Sequence, residues 1–217
     1  MDPISEIICR LSAFDEELLL LINGLHTPVL DNFMWFVSDK WVWIPFYVLL
    51  ACFVVRRYSW HHGFLCLLMI AATIAATDQT CASFLRPLLA RLRPSNPDNP
   101  ISSLIHIVNN YHGGRFGFPS CHAANSFALA AFLSLCFRNK YMTISMAIWT
   151  TLLAYSRLYL GVHYPGDILG GMAVGGFYAL TFYSVFRLLT SPMSKNAVRH
   201  AMLWSRISRI RLIREGK

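Results

Sequence analysis

Apolar residues in this chain do not alternate with polar ones; they run together. Long apolar runs cover about residues 41–55, 63–85, 122–137, 142–160 and 167–186. Runs of this length predict membrane-crossing helices, because an isolated strand in hydrocarbon leaves its backbone groups unpaired at several kcal/mol each. The first run is the shortest. Trp41 and Trp43 at its start suit an interfacial belt, and the helix can begin nearer Met34. Residues 4–25 interleave leucine and isoleucine with Asp15, Glu16 and Glu17, which predicts an amphipathic helix lying in the interface. The expected fold class is all-α, a polytopic transmembrane bundle of about five spans plus that N-terminal helix. A membrane-embedded domain occupies 1–190 and a basic cytoplasmic tail 191–217.

Composition agrees with this pattern: 55% of residues are apolar and 14% charged, which excludes an ordinary soluble domain. The net charge of +8 invites a nucleic-acid reading, but the basic residues flank apolar runs and share no face, so no nucleic acid is expected. Arg56, Arg57, Arg138, Lys140, Arg187 and the arginines beyond it fall on one side, which the positive-inside bias makes cytoplasmic. Segments 86–120 and 157–166 then face outward. The tail from Ser194 alternates arginine with leucine, isoleucine and Trp204, and reads either as a basic helix on the inner leaflet or as a solvated tail. The six cysteines are scattered through apolar runs without a CxxC pair, so they read as small hydrophobes rather than a zinc site or disulfide framework. No cleavable signal is expected, because Asp2, Glu6 and Arg10 interrupt the first apolar residues. Gly171 and Gly175 form a GxxxG that predicts close packing of the last span.

Three outward segments carry candidate chemistry. Arg86 to Pro94 holds Arg86, Arg91 and Arg93; Phe118-Pro119-Ser120-Cys121-His122 opens a span; Ser156 to Asp167 holds Arg157, His163 and Asp167. Arg86, Arg93 and Arg157 present donor forks matched to phosphate oxygens. Ser120 adds a hydroxyl, and free N–H groups at Cys121 and His122 suit an anion at a helix N-terminus. His122 and His163 can divide the roles of acid and nucleophile, and Asp167 lies one helical turn after His163, where it can fix the imidazole tautomer. Asp78, inside the second span, is expected to pair with a site arginine or to hold helices together. Asn109, Asn110, Tyr111, His112 and Arg115 either read a headgroup or form a plain loop. Arg91 stands on the outer side without an assigned role.

The three segments resemble the signature of the type 2 phosphatidic acid phosphatase superfamily, which includes vanadium haloperoxidases: Lys-x6-Arg-Pro, then Pro-Ser-Gly-His, then Ser-Arg-x5-His-x3-Asp. The third motif is matched in full. Arg86 stands where the family has lysine, and Cys121 where glycine is common. The resemblance implies that His163 attacks phosphorus to form a phosphohistidine, that Asp167 orients it, and that His122 protonates the leaving oxygen and then activates water. It also implies that Arg86, Arg93, Ser120, the Cys121 backbone and Arg157 hold the phosphate, with no metal and no cofactor. The implied enzyme is a bacterial inner-membrane lipid phosphatase with its active site on the periplasmic side. Its expected substrate is undecaprenyl diphosphate, phosphatidylglycerophosphate, phosphatidic acid or lipid A, with a slight inclination to lipid A. The rival readings are a phosphotransferase on the same site, a non-enzymatic lipid-binding or transport protein, and, more remotely, a haloperoxidase.

Overall fold

The computed structural model describes residues 2–191 and, among them, contains helices and no strand. The expected tail helix from Ser194 lies outside the described residues. Helix α1 spans Pro3–Asn23, α2 Pro28–Ser38, α3 Ile44–Arg57 and α4 Trp60–Gln79. A π-helical turn, Thr80–Leu85, joins α4 to the short α5, Arg86–Leu89. After a loop with only 3-10 turns come α6, Cys121–Phe137, α7, Lys140–Tyr159, and α8, Pro165–Thr190. The boundaries follow local chemistry. Asp2, Thr27, Ser120 and Asn139 cap their helices with side-chain oxygens, proline stands in the first turn of α1, α2 and α8, and Ala90 and Arg138 end α5 and α6 in the left-handed region.

All five expected spans are helical. By length and composition, Trp60–Leu89 and Pro165–Thr190 each suffice to cross a membrane. Pro28–Ser38 and Lys40–Arg57 qualify only together, and they bend by 62° at their junction. α6 is 17 residues long and shorter than a usual span. It is also the central helix, with Ala124, Ala128, Phe132 and Leu133 fully buried.

Small residues set how close the neighbours come. A Cβ on Gly171 would meet the carbonyl of Ser120, and one on Gly175 the carbonyl of Ala124, so the expected GxxxG is the face on which α8 lies against α6. Polar bonds join the helices at depth. Ser126 and Thr150 hydroxyls lie 2.8 Å apart between α6 and α7, Thr80 and Tyr178 hydroxyls 2.8 Å apart between the π-turn and α8, and Asn125 Nδ2 donates to Asp78 Oδ1 at 2.9 Å. Asp78 therefore holds α4 to α6 and makes no ion pair with a site arginine.

Candidate functional site

Backbone bonds bring the three motif segments to one end of the bundle. Ser120 N–H donates to the Asp167 carbonyl at 2.9 Å, Arg93 N–H to the Arg115 carbonyl at 3.1 Å and Gly117 N–H to the Arg91 carbonyl at 2.8 Å. Arg86 Nε reaches the Pro119 carbonyl at 3.3 Å. The segment from Arg91 to Arg93 thus runs beside the residues that lead into α6, and both lie against the first turn of α8.

His163 occupies the turn between α7 and α8, which reverses through Gly161 at φ +67, and it is fully buried. Asp167, also fully buried, is one turn into α8. Its Oδ2 accepts the Tyr164 N–H at 3.0 Å and faces His163 Nδ1 at 3.3 Å. A carboxylate can only accept, so Nδ1 carries the proton and Nε2 keeps its lone pair. Nε2 is buried and, among the described residues, has no hydrogen-bond partner. Burial first, then the charges of Arg93, Arg157 and Arg86, hold the His163 imidazole well below its ordinary pKa. The ring is a neutral base at physiological pH.

The arginines surround it without carboxylate partners of their own. Arg93 and Arg157 are almost wholly buried. Arg93 Nε donates to the Phe116 carbonyl at 3.1 Å and Nη1 to that of Val162 at 3.5 Å. Arg157 donates to the Ser38 hydroxyl and, at 3.4 Å, to Tyr111 Oη, while its Nε is buried without a partner. Among the described residues none of Arg86, Arg93 and Arg157 forms a salt bridge. Burial and then the neighbouring Arg86 and Arg157 push Arg93 down to about 10. Burial alone would raise the Tyr111 hydroxyl; Arg157's charge and hydrogen bond, with Arg93 and Arg86, bring it below its ordinary value. Three cations without carboxylate partners beside one neutral imidazole have the chemistry to hold an anion.

His122 stands in the first turn of α6 and lines two cavities, one of about 440 Å³ among α3, α4, α6 and α7 and one of about 280 Å³ toward Tyr111 and Arg157. It lies within electrostatic reach of His163, Arg157, Arg93 and Arg86. Ser120 caps α6 through a 3.5 Å bond from Ala123 N–H. Cys121 packs against Cys81 and Ala124.

The sequence-predicted residues therefore meet. Those that spacing alone missed are Ser38, which touches Arg157, Arg91, which bonds Asp167, and Asp15, which bonds Arg91 and the Gly166 N–H. Arg91 Nη1 bonds Asp167 Oδ1 at 3.0 Å and Nη2 bonds Asp15 Oδ2 at 2.6 Å. The signal for Arg91 was its place as an outward arginine without a role. Asp15 looked like one charge of an amphipathic pattern. Of the loop before α6, Tyr111 joins the arginines. His112 is tied to Ser95 by two bonds, at 2.6 and 2.7 Å, and Arg115 stays exposed, 3.9 Å from Asp98.

Residues 62–191 match the model of the PAP2 superfamily. A lipid A 4′-phosphatase of Bacteroides thetaiotaomicron is 46% identical over 186 residues, spanning 86% of this chain and 83% of that protein. A lipid A 4′-phosphatase of Porphyromonas gingivalis is 34% identical over 172 residues, 79% of this chain and 72% of that one. Among solved structures, a transmembrane PAP2 type phosphatidylglycerolphosphate phosphatase from Bacillus subtilis shares the fold, with a TM-score of 0.61 at 21% identity over 84% of this chain and 89% of its own.

Proposed function

The chain belongs to the PAP2 superfamily, and from that premise we propose that this integral membrane lipid phosphatase removes the 4′-phosphate of lipid A, at the extracytoplasmic face of the inner membrane. The observation that carries the reaction is His163: Nδ1 faces Asp167 at 3.3 Å while Nε2 is buried, unpartnered and within the field of three unpaired arginines. The two lipid A 4′-phosphatase relatives support the choice of lipid.

The phosphate enters among Arg86, Arg93 and Arg157, with Ser120 and the opening N–H groups of α6 as further donors. His163 Nε2 attacks phosphorus in line with the sugar oxygen. The P–O bond breaks and His122, which takes up a proton once the bound phosphate anion offsets the three arginines, gives that proton to the departing oxygen. Asp167 holds the Nδ1 proton and offsets the positive charge that develops on the ring. The neutral dephosphorylated lipid hydroxyl leaves. His122, now neutral, takes a proton from water, the water oxygen attacks phosphorus, the N–P bond breaks, and inorganic phosphate departs. The arginines stabilise the added negative charge of both transition states, so the residues of this chain suffice for the reaction without a metal.

The test is phosphate release by purified protein in detergent from lipid A, phosphatidic acid, phosphatidylglycerophosphate and undecaprenyl diphosphate. Each is run with EDTA and beside His163→Ala. EDTA-resistant release, fastest from lipid A and absent in the variant, is the expected result. Release unaffected by the variant removes His163 as nucleophile, and faster release from another lipid replaces lipid A. Transfer of phosphate to an added acceptor lipid in place of release would make the enzyme a phosphotransferase.

A further inference from the structure

Arg91 differs from the arginines of the phosphate site. Among the described residues Arg86, Arg93 and Arg157 have no carboxylate partner, whereas both ends of the Arg91 fork are occupied by carboxylates. Nη1 bonds Asp167 Oδ1 at 3.0 Å and Nη2 bonds Asp15 Oδ2 at 2.6 Å. The guanidinium lies 4.0 Å over the ring of Tyr164, which precedes α8. Its carbonyl accepts the Gly117 N–H at 2.8 Å. The other oxygen of Asp15 accepts the Gly166 N–H at 2.6 Å, in the turn between His163 and Asp167. Asp15 belongs to α1, which carries none of the three motif segments.

We propose that Arg91 and Asp15 are positioning residues of this active site: Arg91 clamps the Asp167 carboxylate in the rotamer that faces His163, and Asp15 anchors both Arg91 and the turn that carries the pair. The inference rests on the reading of His163 and Asp167 as the reacting pair. The division of oxygens supports it. Asp167 Oδ1 is spent on Arg91, so Oδ2 is left for His163 Nδ1 at 3.3 Å and Tyr164 N–H at 3.0 Å. A planar guanidinium fixes two carboxylates in one plane, which an ammonium on a flexible stem does less well. A lone carboxylate at this depth would be free to rotate toward Arg93 or Arg157, and the imidazole would lose the partner that sets its tautomer. α1 is thereby part of the catalytic unit. The first half of α1 exposes Ile7, Ile8, Leu11 and Phe14, which suits a helix seated in the interface.

The experiment measures kcat and KM for lipid A in mixed micelles with the full chain, for wild type, His163→Ala, Arg91→Lys, Arg91→Met, Asp15→Asn and Asp15→Asn/Arg91→Met. Thermal unfolding of each is followed in parallel. Because a positioning residue acts on the transition state and not on lipid binding, Arg91→Met is expected to lower kcat about 30-fold and leave KM within about twofold. Arg91→Lys should recover part of the loss. Asp15→Asn should cost about fivefold alone and much less in the Arg91→Met background, since residues of one network are not additive. A wild-type kcat in Arg91→Met while His163→Ala is inactive overturns the clamp alone. So do a loss confined to KM, full multiplication of the two effects, or a loss that tracks early unfolding and is not recovered by lysine. No hydrolysis by wild type overturns the parent reading and this one with it.

Discussion

His163 and Asp167 face each other across 3.3 Å, both fully buried, and the consequences of that burial are specific. Asp167→Asn preserves volume but turns an acceptor into a group that can also donate, so the imidazole can settle in the wrong tautomer. The expected loss in kcat is about 100-fold or more, with lipid binding little changed. Steady-state kinetics on lipid A check it. The second consequence concerns pH. His163 lies in the turn between α7 and α8 and titrates well below its ordinary value, because burial and then Arg93, Arg157 and Arg86 oppose its charging. In the unfolded chain the same ring binds a proton near pH 6.5. Below about that pH the unfolded state holds one proton more than the folded state, so stability falls with falling pH, by up to about 1.4 kcal/mol per unit from this group. Above it the contribution is constant. Melting temperatures between pH 5 and 8 should therefore fall less steeply on the acid side in His163→Asn than in wild type, and equal slopes would remove His163 as the cause. At this scale the sequence was informative wherever spacing encodes contact: His163 and Asp167 sit one turn apart, and Ser120 and His122 open one helix. It was silent on Ser38, Asp15 and Arg91, whose partners lie 119, 151 and 76 residues away along the chain.

Among the elements, the contact that fixes the site is α8 on α6, since it places Asp167 of one beside the Ser120 turn of the other. Two glycines allow it. Gly175 faces the Ala124 carbonyl with no room for a side chain, whereas a Cβ on Gly176 would meet only the edge of the Phe127 ring at 3.3 Å. Gly175→Leu should separate the helices, destabilise the protein by roughly 1–3 kcal/mol as overpacking does, and reduce activity with it. Gly176→Ala should leave both nearly unchanged. Thermal unfolding in detergent and phosphate release distinguish the pair, and equal tolerance at both positions would mean that the helices do not depend on this approach. The GxxxG and the apolar runs made these helices legible in the sequence. The π-turn at Thr80–Leu85 and the 62° bend between α2 and α3 were not, because nothing in an apolar run marks where a helix widens or turns. α2 illustrates the point. Its Thr27 N–H and Asp31 carboxylate bond the Tyr159 hydroxyl, at 3.2 and 2.6 Å, and its Ser38 meets Arg157. Both ends of α2 thus touch the site end of the bundle. The polarity that keeps it there is carried by single residues scattered through an apolar sequence.

For the whole molecule, the question is which side of the membrane the site faces, and two independent features bear on it. Arg56 and Arg57 close α3, Arg138 and Lys140 join α6 to α7, and Arg187 closes α8, all at the end opposite His163. The arginines at the other end have other work, Arg86, Arg93 and Arg157 in the proposed phosphate site and Arg91 between two carboxylates, so they do not count against the positive-inside bias. The second feature is α1. Asp15 and Asn23 both bond site-end segments, at Gly166 and at His106 and Tyr159. Only the stretch from Pro3 to Asp15 remains to project away, about 18 Å of helix against a hydrocarbon core of about 30 Å. Pro3 is therefore expected on the side of the site. We predict that a fluorescent reporter fused after residue 191 or inserted between Arg138 and Lys140 will light up in the cytoplasm, while an export-dependent reporter inserted at Gly113 or placed at the N-terminus will be active. An inverted pattern would put the arginines on the cytoplasmic face, where the reachable lipid is that of the inner leaflet. The substrate would then have to be sought among lipids before their export, with the chemistry of His163 unchanged.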